Sequence, residues 1–236
     1  MSAMSETLDK GLDHRTRVGQ ARRQKMLDRL IEASIMVFAE RGLNGTVIDH
    51  VVRCAGVSRG TFYNYFDTIE DALETARIAL GREVVLLVND TVDAELPPAK
   101  RVALSLHVFI ELARQYSLLL EFSARLGRHS FSFGSVLCQV EPGFHADGVQ
   151  SGAFRDVPED LILDMLEVGT IAILGRVMAG EEVDVEAFVA AMLRVYGLGF
   201  EESVEAAMRP DPLVLPSIPD DSLLARGSVA WAKSHP

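Results

Sequence analysis

The chain has 236 residues, 48% of them hydrophobic, which suits one ordinary domain with a well-filled core and excludes wholesale disorder. Its formal net charge of −11 argues, taken whole, against a nucleic-acid partner. The distribution argues otherwise: the first 66 residues hold ten Lys/Arg against seven Asp/Glu, and the remainder thirteen against twenty-seven, a basic front and an acidic body with separate tasks.

Cys54 and Cys138 stand far apart, without the spacing of a zinc site or a disulfide framework. No apolar run approaches the ~20 residues that span a bilayer, and the polar N-terminus carries no secretory signal. A reduced, cytoplasmic protein with no membrane partner is expected.

Residues 1–19 lack periodicity and read as a mobile arm. A basic cluster follows, from Arg15 to Lys25. Leu27, Leu30, Ile31, Ser34, Ile35 and Phe38 then recur at three and four, predicting an amphipathic helix that ends at Arg41–Gly42. Thr46 is the expected N-cap of a short second helix with Ile48, Val51, Val52 and Ala55 facing inward. Gly56 breaks it. Ser58 caps a third helix, in which Phe62 and Phe66, spaced i, i+4, enter the same core. Two short helices joined by a glycine turn behind a longer one form a helix-turn-helix, a reader of the DNA major groove. Arg59, Thr61, Tyr63, Asn64 and Tyr65 are left on its outer faces. Gly60 costs roughly 1 kcal/mol of helix propensity relative to alanine, and in exchange presents bare backbone that another surface can approach closely.

The stretch GLNGTVIDHVVRCAGVSRGTFYNYFDTIEDAL (42–73) resembles the DNA-binding motif of the tetracycline-repressor (TetR-type) transcriptional regulators. The likeness lies in the opening glycine, the capping threonine, the A-G-V-S turn, the G-T-F-Y core and the Y-F ending. It implies an all-α chain: a three-helix head joined by a long fourth helix to a divergent helical domain that binds an effector and dimerises. Carried over position by position, Arg59, Thr61 and Asn64 would face bases or nearby backbone. Tyr63 and Tyr65 would donate to phosphates, and Thr46 would sit at a helix N-terminus aimed at the backbone, with Ser58 and Gly60 completing the DNA-binding set. The sequence departs from the family pattern at Val47, at His50 in place of an acidic residue, and at Ile69 in place of a phosphate-binding lysine.

Downstream, Leu73, Ala76, Leu80, Val84, Leu87 and Val88 mark a long helix from Glu70 to about Val92. Pro97–Pro98 ends the connection, and further helices are predicted over 99–115 and 117–127. The segment 128–157 is interrupted by glycines and Pro142 and predicts a helix with irregular ends. Residues 158–180 and 184–207 predict two helices that are apolar around much of their circumference and therefore need partners on several sides. A buried core helix would satisfy that pattern, as would a homodimer four-helix interface. The second is preferred, because a helix-turn-helix implies a two-fold partner; its candidate residues are Met165, Ala172, Gly175, Phe188, Met192, Val195 and Tyr196. The tail from Pro210 holds a short possible helix with Trp231, which either folds back on the body or frays. Four segments result: an arm (1–19), a head (20–68), an effector-binding and dimerisation body (69–209) and a tail (210–236).

No nucleotide loop, hydrolase elbow, metalloprotease or dinucleotide motif is present, so neither catalytic residues nor a cofactor or metal is expected. Glu141, His145 and Asp147 lie close together around a Pro-Gly turn and read as solvent-exposed. The aromatic density of the middle helices serves core packing or lines an apolar pocket. His107 reads first as a satisfied core histidine and second as a polar fixture of such a pocket; with it, Phe109, Tyr116, Phe122, Phe133, Phe144 and Met165 are the candidates for the pocket, which suits a small hydrophobic effector. The expected function is a homodimeric regulator, most simply a repressor, released from a palindromic double-stranded DNA operator by that effector. The alternatives are a helical small-molecule-binding protein or enzyme whose head no longer meets DNA, and a constitutive DNA-binding scaffold without an effector.

Overall fold

The computed structural model describes residues 2–127 and 143–235, with side chains from Arg17 onward, and among these residues all regular structure is helical. Helix α1 spans Ser2–Gly45, including the segment assigned above to an arm. It breaks at Gly42, whose φ of 67° lies in the left-handed region that glycine tolerates, where the sequence places the stop. Helices α2 (Ile48–Ala55) and α3 (Arg59–Tyr63) follow, separated by Gly56 at φ 62°. The buried face of α1 (Leu30, Ile35, Phe38) meets Val51, Ala55, Phe62 and Phe66, the head's part of the core.

Helix α4 (Ile69–Thr91) starts at a reciprocal cap. The Asp71 amide donates to Thr68 Oγ1 at 3.1 Å, and the Thr68 amide donates to Asp71 Oδ2 at 3.2 Å. Its inward face is small near the head (Ala72, Ala76) and valine-rich further on (Val84, Val85, Val88). The body then adds α5 (Pro98–Gln115), α6 (Ser117–Leu126), α7 (Phe144–Gln150) and α8 (Glu159–Met178). The single helix expected over 184–207 is in fact two, α9 (Val185–Val195) and α10 (Phe200–Ala207). The cause is Gly197, which turns the chain at φ 88° with Arg155 packed where a side chain would stand, and Gly199, which opens α10 in extended conformation.

One hydrophobic cluster runs without interruption from the head through α4, α5 and α6; a second joins α5, α8, α9 and α10 around Phe154 and Tyr196. The tail folds back as α11 (Leu223–Ser234), burying Leu224 and Trp231 against the first cluster. Its N-terminus is held by one carboxylate: the amides of Leu223 and Leu224 each donate to Glu83 of α4 at 2.7 Å. Arg226 pairs with Glu32 of α1 at 3.4 Å, and Gly227 lies so close to Leu118 of α6 that a Cβ would sit 2.7 Å from its Cδ2.

Glu83 thus supplies a charged cap from outside the helix it caps. Glu83→Ala is expected to lower unfolding stability by about 1–2 kcal/mol, the range of a lost cap, measured by urea denaturation. Hydrogen exchange should quicken first in the amides of 222–234.

Candidate nucleic-acid interface and effector cavity

In the head, the interior is aromatic and the exterior polar. Phe62 is wholly buried, its ring 5.4 Å from that of Phe66, while Tyr63 is 53% exposed. Ser58 caps α3 as expected, accepting from the Thr61 amide at 3.1 Å, with the two hydroxyls 3.0 Å apart. Arg59, Gly60, Tyr63 and Asn64 are exposed, Thr61 half-buried. Tyr65 is half-buried and lies under the Arg23 guanidinium, 5.8 Å from its ring centre, which brings the basic end of α1 beside the reading face.

Two expectations need correction. Thr46 is buried and does not cap α2: its hydroxyl donates to the Gly42 carbonyl at 2.7 Å, closing the break in α1, so it is not available to a phosphate. The N-cap is Val47, which has no side-chain acceptor; its amide donates instead to Nδ1 of His50 at 3.3 Å. His50 therefore does the back-capping that an acidic residue in the same place would do. Ile69, in place of the usual lysine, is half-buried against the head core.

Asp49, in the first turn of α2, receives Arg59 in a two-pronged ion pair: Nε donates to Oδ1 and Nη2 to Oδ2, both at 2.5 Å. The Arg59 hydrogen bonds hold the Asp49 carboxyl below the usual carboxylate range. The sequence reading missed this link, because the two residues are ten apart and on different helices.

In the body, a cavity of about 120 Å³ lies between α4, α5, α7 and α8. Val84, Val88, Leu106, Phe109 and Leu166 form much of its wall, and Arg101, Ser105, Glu167 and Thr170 bring polar groups to it. The Arg101 guanidinium sits 4.7 Å from the centre of the Phe144 ring. Of the expected pocket residues, Phe109 and Phe144 line this cavity. The others do not. Phe122 is fully buried in the first cluster and Tyr116 packs against it. Buried His107 uses Nε2 to donate to the Ala207 carbonyl at 2.8 Å, tying α5 to the end of α10. Met165 points out of the body, and Phe133 lies outside the described residues. His145 is buried rather than solvent-exposed, donating to the Val157 carbonyl at 2.9 Å, and no metal-binding cluster occurs among the described residues.

Helix α8 explains its all-round apolarity by having two apolar faces. Leu163, Leu166 and Thr170 look into the cavity. Leu161, Met165, Val168 and Ala172 form a second stripe at i, i+4, i+7 and i+11, and all four are exposed. Of the expected interface residues, Met165 and Ala172 belong to that stripe, and Gly175 opens on empty space. Phe188 and Met192 pack within the chain on Gly169, and Val195 is half-buried on the second cluster. Tyr196 is only 3% exposed, 4.5 Å from Phe154, and forms part of the cavity wall rather than an outer face.

Residues 30–76 match the family model of the bacterial regulatory proteins of the tetR family. An HTH-type transcriptional regulator of Mycobacterium tuberculosis is 33% identical over 100 residues, 40% of this chain and 47% of the regulator, so the chain spans about half the length of that relative. The HTH-type transcriptional repressor DhaR of Mycobacterium sp. (strain GP1) is 29% identical over 58% of this chain and 74% of its own. Among solved structures, RolR in complex with resorcinol has a TM-score of 0.63 at 26% identity, covering 85% of this chain and all of RolR (100%). Residues 30–76 are thus similar to the tetR-family DNA-binding domain, and the all-helical fold of the described residues is similar to that of RolR.

Gly60 has no positive φ, and a Cβ there would meet nothing nearer than Ser58 Oγ at 3.7 Å. Nothing inside the fold requires the glycine. Gly60→Ala is therefore expected to leave stability unchanged or raise it, by at most about 1 kcal/mol in thermal denaturation. The same variant should bind duplex DNA more weakly in fluorescence anisotropy.

Proposed function

We propose that the protein is a homodimeric, ligand-responsive transcriptional regulator of the cytoplasm, a repressor released from a palindromic operator by a small hydrophobic effector. The observation that carries the proposal is the double duty of α4. Its first turns carry Ala72 and Leu73 into the core with the head, and its last turns put Val84, Val85, Val88 and Asn89 into the cavity wall. A ligand that favours one position of this helix also favours one placement of the reading helix. Release then requires only that the effector bind more tightly to the form whose heads are wrongly spaced.

The exposed stripe on α8 supports the dimer. Val168 is 50% exposed in a row of apolar neighbours, a face that a second copy related by a two-fold axis would cover. Two heads would then meet successive major grooves, with half-sites about one helical turn apart. The acidic body keeps phosphates away from everything except the head. The cavity supports an effector of one ring: a pocket of ~150 Å³ holds benzene, and this one measures about 120 Å³. Resorcinol, the one-ring ligand in the RolR complex, is of that size and could use the Arg101, Ser105 and Thr170 side of the wall.

The direct test is anisotropy titration of the purified protein against duplexes from the region upstream of its own gene, at several salt concentrations. Binding that weakens steeply with salt is expected. Its absence at low salt would favour a helical ligand-binding protein whose head is unused. Val168→Glu should turn the dimer into a folded monomer in equilibrium sedimentation and cost at least about tenfold in operator affinity, since one head alone holds too few phosphates. Single-ring phenols are expected to raise the melting temperature of the parent protein, and Leu106→Trp should fill the cavity, leave DNA binding intact and abolish that stabilisation.

A further inference from the structure

The Asp49–Arg59 pair lies on the outer surface of the head, with side chains 46% and 63% exposed. An ion pair so open to water contributes little to stability, so its geometry calls for another account. A guanidinium has five N–H donors. Asp49 takes the Nε–H and one Nη2–H, leaving both donors of Nη1 and the second of Nη2. Those remaining donors form one straight edge with two parallel N–H groups. Guanine is the base whose major-groove edge offers two adjacent acceptors, N7 and O6, matched to that edge.

Arg59 is also the first residue of α3, next to Gly60, at the end of the helix that this reading places in the major groove. Unpaired, a long arginine would lose its rotamer freedom only on meeting DNA, and Asp49 would present a bare carboxylate to the phosphates. Paired, the arginine is already ordered and the carboxylate is neutralised; Arg53 adds positive charge beside it. We propose that Asp49 is a positioning residue, which holds Arg59 with its free edge toward a guanine in each operator half-site. The proposal rests on the DNA-binding reading above.

The test starts with selection of duplexes from a pool with a randomised centre by the full-length protein, followed by anisotropy titrations of base-substituted versions. For the parent protein, one G·C pair per half-site should stand out, its replacement weakening binding by roughly 5- to 150-fold, the range of a good bidentate contact. Arg59→Ala should lose that discrimination entirely. Asp49→Ala and the same-shaped Asp49→Asn should lose most of it at that base pair alone, and Asp49→Glu should recover part. The pair is exposed, so all variants should melt as the parent does. Arg59→Ala with unchanged base preference would overturn the inference. So would Asp49→Ala that binds every duplex more tightly by the same factor, since Asp49 would then be only a repelling charge. Failure of the parent protein to enrich any duplex would overturn the regulator reading itself, and this inference with it.

Discussion

The structure depends on α4 remaining one helix from the head to the cavity. Twenty-three residues at ~1.5 Å each make a rod of roughly 35 Å, whose start is fixed by the reciprocal Thr68–Asp71 cap. Along its inward side the residues change from alanine to valine. Ala72 and Ala76 let α1 approach closely, and Val84, Val85 and Val88 stop short of filling the space between α4 and α5. Helix propensity would favour leucine over valine along such a rod. Short, β-branched valine makes the wall stiff and leaves room behind it. The cavity is thus a consequence of which apolar residue was used, not of any break in the fold.

The head shows the same economy of polar groups. Buried hydroxyls are used up inside: Ser34 on the Leu30 carbonyl, Thr46 on the Gly42 carbonyl. Several that remain outside, on Ser58, Thr61 and Tyr63, lie on one short helix and its cap. A burial cost of a few kcal/mol for an unpaired hydroxyl explains why the division is so clean. It also explains why a basic head can work on a chain with a net charge of −11: the charge that matters is the charge beside α3, where Arg23, Arg53 and Arg59 lie on or near the reading face.

How much of this was legible in the sequence follows from the range of each interaction. Local rules placed Ser58 as a cap, Gly42 and Gly56 as breaks, and Phe62 and Phe66 as anchors, because each acts within one turn of its own position. They failed at Thr46 by one residue, because a threonine after a helix end serves backward as readily as forward. The 184–207 helix was read through Gly197 and Gly199, since glycine in an apolar run marks close packing as well as a turn. Only the position of Arg155, forty-two residues earlier, decides between the two. Tyr196 was placed on an outer face and Met165 on both sides for a related reason: a helix apolar all round gives no sign of which face is inside. Long-range links, such as Asp49 with Arg59 or Glu83 with the tail, left no trace in spacing at all.

That last link bears on how the parts move together. The head does not hang from α4 alone: α1 also packs on α6, and the tail adds to both attachments. Helix α11 is capped by Glu83 of α4, paired through Arg226 with Glu32 of α1, and packed through Gly227 on Leu118 of α6. It therefore ties the helix that lines the cavity to the helix on which the head is built. With both α1 and α4 gripped, the proposed displacement at Val84 or Val88, one residue from Glu83 or one turn beyond it, would reach the head as rotation of a block rather than as flexing of a hinge. Close packing makes such a block move between discrete arrangements, which is the property a regulator needs if a ligand of modest size is to reposition a reading helix.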